Sequence, residues 1–328
     1  MTRTIVGVLR GGNSNEYDLS LKTGAAVMNA LSNDKYTVRD ILIDRSGIWH
    51  IQGRPAEPAR VLHGVDVVFN AMHGGIGEDG TIARIIGRAG VPFTGARPDA
   101  SALSLNKAQA RRRMSEAGIR MPRAVSFGMT DELTTGDLAK MVFQQFGPPY
   151  VVKPTSSNFS EGVLFVPTLN ELPDAIGDTL DAYGNALAEE FVRGREVSVG
   201  VVDGFRGEDA YALPPAEIVC VDEGVLITSR AWREGMLRTT CPSESHHTVA
   251  HRSQLLDVAK KAHSTLGLSG YSTVDFIVTS RGPYLLEVDA LPGLYDDAPF
   301  PAMLGAVGAT LPEFVEHTLY RARGTSRV

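Results

Sequence analysis

Two apolar runs near the C-terminal end constrain this chain more than any other stretch: Val274-Asp275-Phe276-Ile277-Val278 and Tyr284-Leu285-Leu286-Glu287-Val288-Asp289-Ala290. The segment between them, Thr279-Ser280-Arg281-Gly282-Pro283, is a compact turn, so the pair predicts a β-hairpin. Residues two apart on a strand share a face, so Glu287 and Asp289 project together, and Asp275 can join them from the partner strand. Three carboxylates on one face of an apolar hairpin repel one another unless a cation sits between them. Hard oxygen donors of this kind suit Mg²⁺, which typically arrives with nucleotide phosphates. The bland alternative is a solvated sheet edge with scattered charge.

The 328 residues leave room for two or three domains, and 43% hydrophobic with 21% charged residues is ordinary for a globular protein. A net charge of -6 gives no reason to expect nucleic acid or an anionic membrane as partner. Arg111-Arg112-Arg113 reads as the solvated face of a helix. Two cysteines, Cys220 and Cys241, imply no disulfide framework, and no apolar run reaches membrane-spanning length. The expected compartment is the reducing cytoplasm, where the Asn158-Phe159-Ser160 sequon carries no meaning.

The first hundred residues alternate strands and helices. Ile5–Leu9 runs into the loop Arg10-Gly11-Gly12-Asn13-Ser14-Asn15-Glu16 and then a helix from Leu19 to Leu31. Strands are expected at Val38–Ile43 and Val65–Phe69, the latter ending in a glycine-rich loop from Asn70 to Gly80, with Thr81 capping a helix. Neither glycine loop has the spacing of a dinucleotide-binding fingerprint. His73-Gly74-Gly75 is similar to an esterase oxyanion loop, but the chain has no G-x-S-x-G elbow. Farther on, Ser101–Ala117 reads as one helix containing Lys107. The strand Tyr150–Lys153 ends in a lysine before a small polar loop, a plausible phosphate clamp. Glu223–Cys241 reads as a long loop closing over a site. His247 and His251, one helical turn apart with Cys241 nearby, make a zinc site conceivable, although the metalloprotease glutamate is missing.

Taken together, Gly11 to Glu16, His73 to Gly80, Pro92-Phe93-Thr94-Gly95, Asn106-Lys107, Val152-Lys153-Pro154, Glu189-Glu190-Phe191-Val192 with Glu196, and Leu286-Glu287-Val288-Asp289 fall in the order and spacing of D-alanine–D-alanine ligases, of the ATP-grasp superfamily. The resemblance covers essentially the whole chain. It implies an α/β (α+β) fold of three parts: an N-terminal Rossmann-like domain (1–100), a central subdomain (101–190) and a C-terminal subdomain (191–328). ATP would lie between the two antiparallel sheets of the latter two. By position, Lys107 and Lys153 match the phosphate lysines, Glu189, Glu190, Phe191 and Val192 the adenine hinge, and Glu196 the ribose acid. Asp275, Glu287 and Asp289 match the ligands of Mg²⁺, for which Mn²⁺ can substitute. The family's last ligand is usually Asn, so Asp289 adds a negative charge that favours the metal. Glu16 and His73 match the site of the first substrate's ammonium, with Gly293 in the substrate loop and Ser160 in the phosphate loop. The resemblance further implies an acyl-phosphate mechanism, amino-acid or amine substrates and a homodimer.

The departures cluster around the second substrate. Phe159 stands at a phosphate-loop serine, Ala231 and Trp232 at the lid Lys-Tyr pair, Thr273 at the oxyanion arginine and Ala298 at the serine that grips the second D-alanine. Arg230 or Arg233 could replace the lid lysine, and Asp296 with Asp297 suggests a cationic partner. The sequence therefore predicts a carboxylate–amine ligase with a different nucleophile, as in natural-product assembly or ring closure. A true D-alanine–D-alanine ligase and a non-catalytic ATP-binding module remain the alternatives.

Overall fold

The computed structural model describes residues 3–129, 133–155, 162–220 and 237–324. Three sheets follow one another along the chain. The first holds β1 (Thr4–Gly11), β2 (Tyr36–Ile43), β3 (Trp49–Ile51), β4 (Arg54–Pro55) and β5 (Val67–Asn70) in the order β4-β3-β2-β1-β5. β2, β1 and β5 are parallel; α1 (Tyr17–Ala30) and α2 (Pro58–Leu62) lie in the connections between them, and α3 (Thr81–Arg88) follows β5. Parallel central strands must be buried on both faces, which is why Val6, Val8, Val67 and Phe69 have no exposed surface.

Helices α4 (Pro98–Leu105) and α5 (Lys107–Glu116) lead into the second sheet. The sequence reads one helix here, but the chain breaks at Asn106, whose side chain accepts from the Gln109 N–H and caps α5. The break sets Lys107 at the first turn of α5 rather than mid-helix. The second sheet, β6 (Ala124–Gly128), β7 (Tyr150–Lys153), β8 (Leu164–Val166) and β9 (Asn185–Glu190), is antiparallel in the order β6-β9-β7-β8. It is backed by α6 (Thr135–Gln145) and α7 (Leu172–Tyr183).

The third sheet has six strands: β10 (Arg195–Asp203), β11 (Ala210–Ala212), β12 (Ala216–Cys220), β13 (Leu237–Thr240), β14 (Tyr271–Thr279) and β15 (Gly282–Asp289). β13 pairs with β12, so Leu237–Thr240 of the expected long loop is strand; residues 223–236 of that loop lie outside the described part. Helices α8 (His246–Ala250) and α9 (Arg252–Thr265) precede β14, and α10 (Pro299–Ala306) with α11 (Leu311–Gly324) ends the chain. No helix among the described residues is long and apolar enough to cross a membrane.

The hairpin forms as its sequence dictates. β14 and β15 pair antiparallel with Thr273 opposite Asp289 and Asp275 opposite Glu287, and the register shifts between Asp275 and Phe276. One face buries Val274, Phe276, Val278, Leu285 and Val288 in a core shared with Val197, Val199 and α9. The carboxylates are thereby forced onto the opposite face.

The hydrophobic clusters do not respect chain order. Phe314, Val315 and Leu319 of α11 pack with Val6, Val67 and Phe69 of the first sheet, tied by Tyr271 and Phe300. Phe314 meets Tyr271 edge-on and Phe300 at a tilt, each at 5.1 Å between centroids. Phe314→Ala should therefore lower stability by about 3–5 kcal/mol. Tyr320→Ala, on the exposed side of the same helix, should change it by less than about 0.5 kcal/mol. Urea midpoints of the two variants check this.

Candidate active site

Two adjoining cavities meet at a common wall of Lys107, Glu196, Asp275 and Glu287. The first lies between the second and third sheets. It is lined by Val151 and Lys153 of β7, Glu189 and Glu190 of β9, Phe191, Val192, and Ile277 and Leu286 of the hairpin. The other runs from the hairpin to the loop after it and is lined by Ser198, Thr273, Asp289, Gly293, Tyr295, Ala298 and Phe300 among others. The sequence places Lys153, Glu189 to Val192, Glu196, Asp275 and Glu287 in one site, and the fold brings them to one cavity.

The wall is crowded with negative charge. Burial, reinforced by Asp275 and Glu287 and opposed by Lys153, raises the Glu196 carboxyl to about 8. Burial and Glu287 raise Asp275 to about 7, although the Ser198 hydroxyl donates to it and Lys107 favours its charge. Asp289 rises well above the carboxylate range through burial and the nearby Glu78, with Asp275 and Glu287 adding to it. Glu287 alone falls below the ordinary value, because Lys107 and Lys153 outweigh its burial. Lys107 forms an ion pair with Glu287, while burial opposes and the surrounding carboxylates more than restore its charge. An ammonium thus sits among these oxygen donors as a partial cation substitute. The donor set fits a hard divalent cation, which would neutralise what one lysine cannot.

Lys153 is held by a different acid. Glu189, expected in the adenine hinge, is buried and its carboxylate pairs with Lys153 at 2.5 Å and Arg111 at 2.6 Å. Arg111 departs from the solvated-face reading: its side chain is 14% exposed, whereas that of Arg112 is 73% exposed. Four residues separate Arg111 from Lys107, so both turn inward from one face of α5, a periodicity legible in the sequence. Glu190 instead pairs with Arg123 at 2.6 Å, and Phe191 packs edge-on against Phe165.

Behind the second cavity, Glu16, His73 and Glu78 are all buried, with their donor atoms within 4.8 Å of one another. Gly74 adopts φ +64°, and a Cβ there would lie 2.7 Å from Glu16 Oε1, so only glycine lets the His73 loop approach this closely. Its N–H donates to Glu78 at 2.6 Å. Burial holds the His73 imidazole down at about 4, although a Leu291 backbone bond favours its charge, so it is neutral at pH 7. His73 Nε2 lies 2.7 Å from the Thr23 hydroxyl. Two carboxylates beside a neutral imidazole make a buried acidic corner. Glu78 was not singled out by the sequence reading; the Gly77-Glu78-Asp79-Gly80 turn was its only signal.

Thr273 and Ala298 both line the second cavity, where the resemblance leads one to look for an arginine and a serine. Asp296 and Asp297 are exposed and stand outside its described lining. Their place on the wall is taken by Tyr295, Ala298, Pro299 and Phe300. Ser160, Phe159, Arg230, Ala231, Trp232 and Arg233 lie outside the described residues. His247 and His251 join no metal-ligand cluster among the described residues.

The raised carboxyls of Glu196 and Asp275 give a pH prediction. Each holds its proton to a higher pH in the folded than in the unfolded chain, so this contribution to stability falls as pH rises from about 4.5 through 7 and 8. A divalent cation favours the deprotonated forms. Added Mg²⁺ should therefore raise Tm more at pH 8.5 than at pH 6, and Asp275→Asn should flatten that difference; thermal melts at the two pH values check it.

Comparison with known proteins gives the family. The family described as D-ala D-ala ligase C-terminus matches residues 114–320, and D-ala D-ala ligase N-terminus matches residues 5–60. The chain is 34% identical to a D-alanine–D-alanine ligase of Geobacter sulfurreducens over 322 residues, covering 97% of this chain and 94% of the relative. It is 35% identical to one from Geotalea uraniireducens over 323 residues, covering 97% and 95%. Among solved structures, the VanG D-Ala:D-Ser ligase from Enterococcus faecalis superposes with a TM-score of 0.83 at 24% identity, covering 98% of this chain and all of that one. A Bacillus anthracis D-alanine–D-alanine ligase complexed with ATP superposes with a TM-score of 0.79 at 22% identity, covering 99% of each. With these matches spanning nearly its full length, and with two antiparallel sheets facing each other across a lysine-lined cleft, the chain belongs to the D-alanine–D-alanine ligase family, ATP-dependent C–N ligases of the ATP-grasp fold.

Proposed function

We propose that this protein joins the carboxylate of D-alanine to the amine of a second D-alanine with conversion of ATP to ADP and phosphate. The observation that carries this reading is the shared wall: Lys107, Glu196, Asp275 and Glu287 border both cavities. A nucleotide in the first cavity would therefore present its terminal phosphate to whatever occupies the second.

In the first step a D-alanine carboxylate oxygen bonds to the γ-phosphorus and ADP leaves. In the second the amine nitrogen attacks the acyl carbon, phosphate leaves and the nitrogen loses a proton. Both steps build negative charge, so catalysis is chiefly electrostatic positioning. Lys107 and Lys153 are near enough to influence Glu287 and would turn from their carboxylate partners to the phosphates. Glu16 and Glu78 would hold the first substrate's ammonium, with neutral His73 orienting it. Asp275, Glu287 and Asp289 would hold Mg²⁺, which supplies neutralisation of the transferring phosphoryl group.

A second reading changes only the amine. Thr273 and Ala298 replace the groups the family uses on the oxyanion and on the acceptor carboxylate, and Lys107 is the one cation among the described residues lining the second cavity. The neighbouring D-Ala:D-Ser ligase fold is itself named for a different acceptor. Such a wall would suit an acceptor other than D-alanine, in a specialised biosynthesis.

Mg-ATP with D-alanine alone should yield ADP, phosphate and a dipeptide mass; absence of dipeptide alongside product with another amine would favour the second reading. Glu287→Gln should lower ADP formation by about 100-fold or more. Unchanged turnover would remove the hairpin from the chemistry.

A further inference from the structure

Tyr295 occupies a position to which neither the family resemblance nor the sequence assigns a role. It is 8% exposed, and its ring forms part of the second cavity's wall. The ring is closely packed: a Cβ on Gly293 would lie 2.7 Å from Tyr295 Cε1 and 3.3 Å from the Ala298 Cβ. Gly293 is therefore glycine because the aromatic ring lies across it. The backbone on each side is pinned, with Leu294 N–H donating to the Thr23 hydroxyl at 3.3 Å and Ala298 N–H to the Tyr295 carbonyl at 2.9 Å. On the ring's other side, Lys22 Nζ lies 5.7 Å from its centroid.

An aromatic ring fixed in this way is a wall that cannot swing aside without moving its loop. The same cavity is closed by Ala298, Phe300 and Ile218, so its volume toward this end is set by apolar surface. Burial, with Asp297, Glu16 and Asp289 nearby, holds the phenol protonated far above neutrality, which leaves no general-base role for it.

From this geometry we infer that Tyr295 is a specificity-determining residue, its ring acting as a size filter on the side chain of the amine acceptor. The inference rests on the ligase reading above and deepens it: the acceptor is an amine with a small side chain, and removal of the ring admits a large one. Discrimination by one or more methylene-sized groups in an apolar pocket is worth roughly 10–200-fold.

The experiment uses Mg-ATP, D-alanine as the carboxylate, and competing pairs of amines, D-alanine against D-phenylalanine and ethylamine against phenethylamine, for wild type, Y295F and Y295A. Product masses give the ratio of large to small acceptor, and calorimetric titration of the same amines into proteins loaded with a non-hydrolysable ATP analogue gives a binding ratio that does not need turnover. Y295A should raise the large-to-small ratio by about tenfold or more, while Y295F should keep the wild-type ratio. A merely structural role would lower both acceptors together and leave the ratio unchanged, which would overturn the filter. A Y295A protein that fails to fold is replaced by Y295L, which keeps a packed side chain while shortening the wall. Widened binding without any turnover in wild type would support the filter and overturn the ligase reading. Turnover with an unchanged ratio would do the reverse, and no binding of any amine to either protein overturns both.

Discussion

Repulsion among the carboxylates on one face of the third sheet is the constraint on which the rest of this structure depends. Strand pairing sets Asp275 opposite Glu287, with Ser198 paired to Asp275 on the other side and Asp289 two residues beyond Glu287. No arrangement of these strands can separate the acids, because the alternate residues are committed to the core. What the fold does instead is bring cations to them. The break at Asn106 delivers Lys107 to Glu287, and Lys153 approaches from the facing sheet. Even so, Glu196, Asp275 and Asp289 are left with a strong preference for their protons. A site in this condition is electrostatically incomplete, and a divalent cation with a polyphosphate would complete it.

The second lysine shows how the protein holds a flexible cation ready. Glu189 is buried between Lys153 and Arg111, so this acid serves to position Lys153 within the nucleotide cleft. Breaking such a buried pair from one side leaves an uncompensated charge, which is far costlier than the pair itself is stabilising. The tie from α5 to β9 through Arg111 also fixes the first turn of that helix, where Lys107 stands. Lys107 and Lys153 are thus both held by ion pairs that link α5 to the two sheets.

Much of this was legible from residue order alone. Alternation within 274–290 gave the hairpin and its acidic face, because strand periodicity is enforced by burial on the other side. Lys153 at a strand end and the glycine loop around His73 were likewise readable, since each reflects a local backbone need. Arg111 was misread because three consecutive arginines look like a solvated face, although its spacing of four from Lys107 sets both on one side of α5, where Glu189 holds Arg111. Asp296 and Asp297 suggested a cationic acceptor, yet the chain turns them outward and sets Tyr295 and Phe300 on the wall. That orientation depends on Gly293 lying against the Tyr295 ring and on the Leu294 N–H donating to Thr23, 271 residues away, which no local pattern records. Long-range pairing also explains why the end of the expected lid is a strand: β13 acquires its hydrogen bonds from β12.

The central claim is that the hairpin acids hold protons which a divalent cation must displace. Isothermal titration of Mg²⁺ into the protein with a non-hydrolysable ATP analogue, in two buffers of different ionisation enthalpy at pH 7 and with the analogue-only titration subtracted, reads proton release directly. The account predicts net release from the protein on binding, diminished in Asp275→Asn. Binding that moves no protons in either buffer would contradict it.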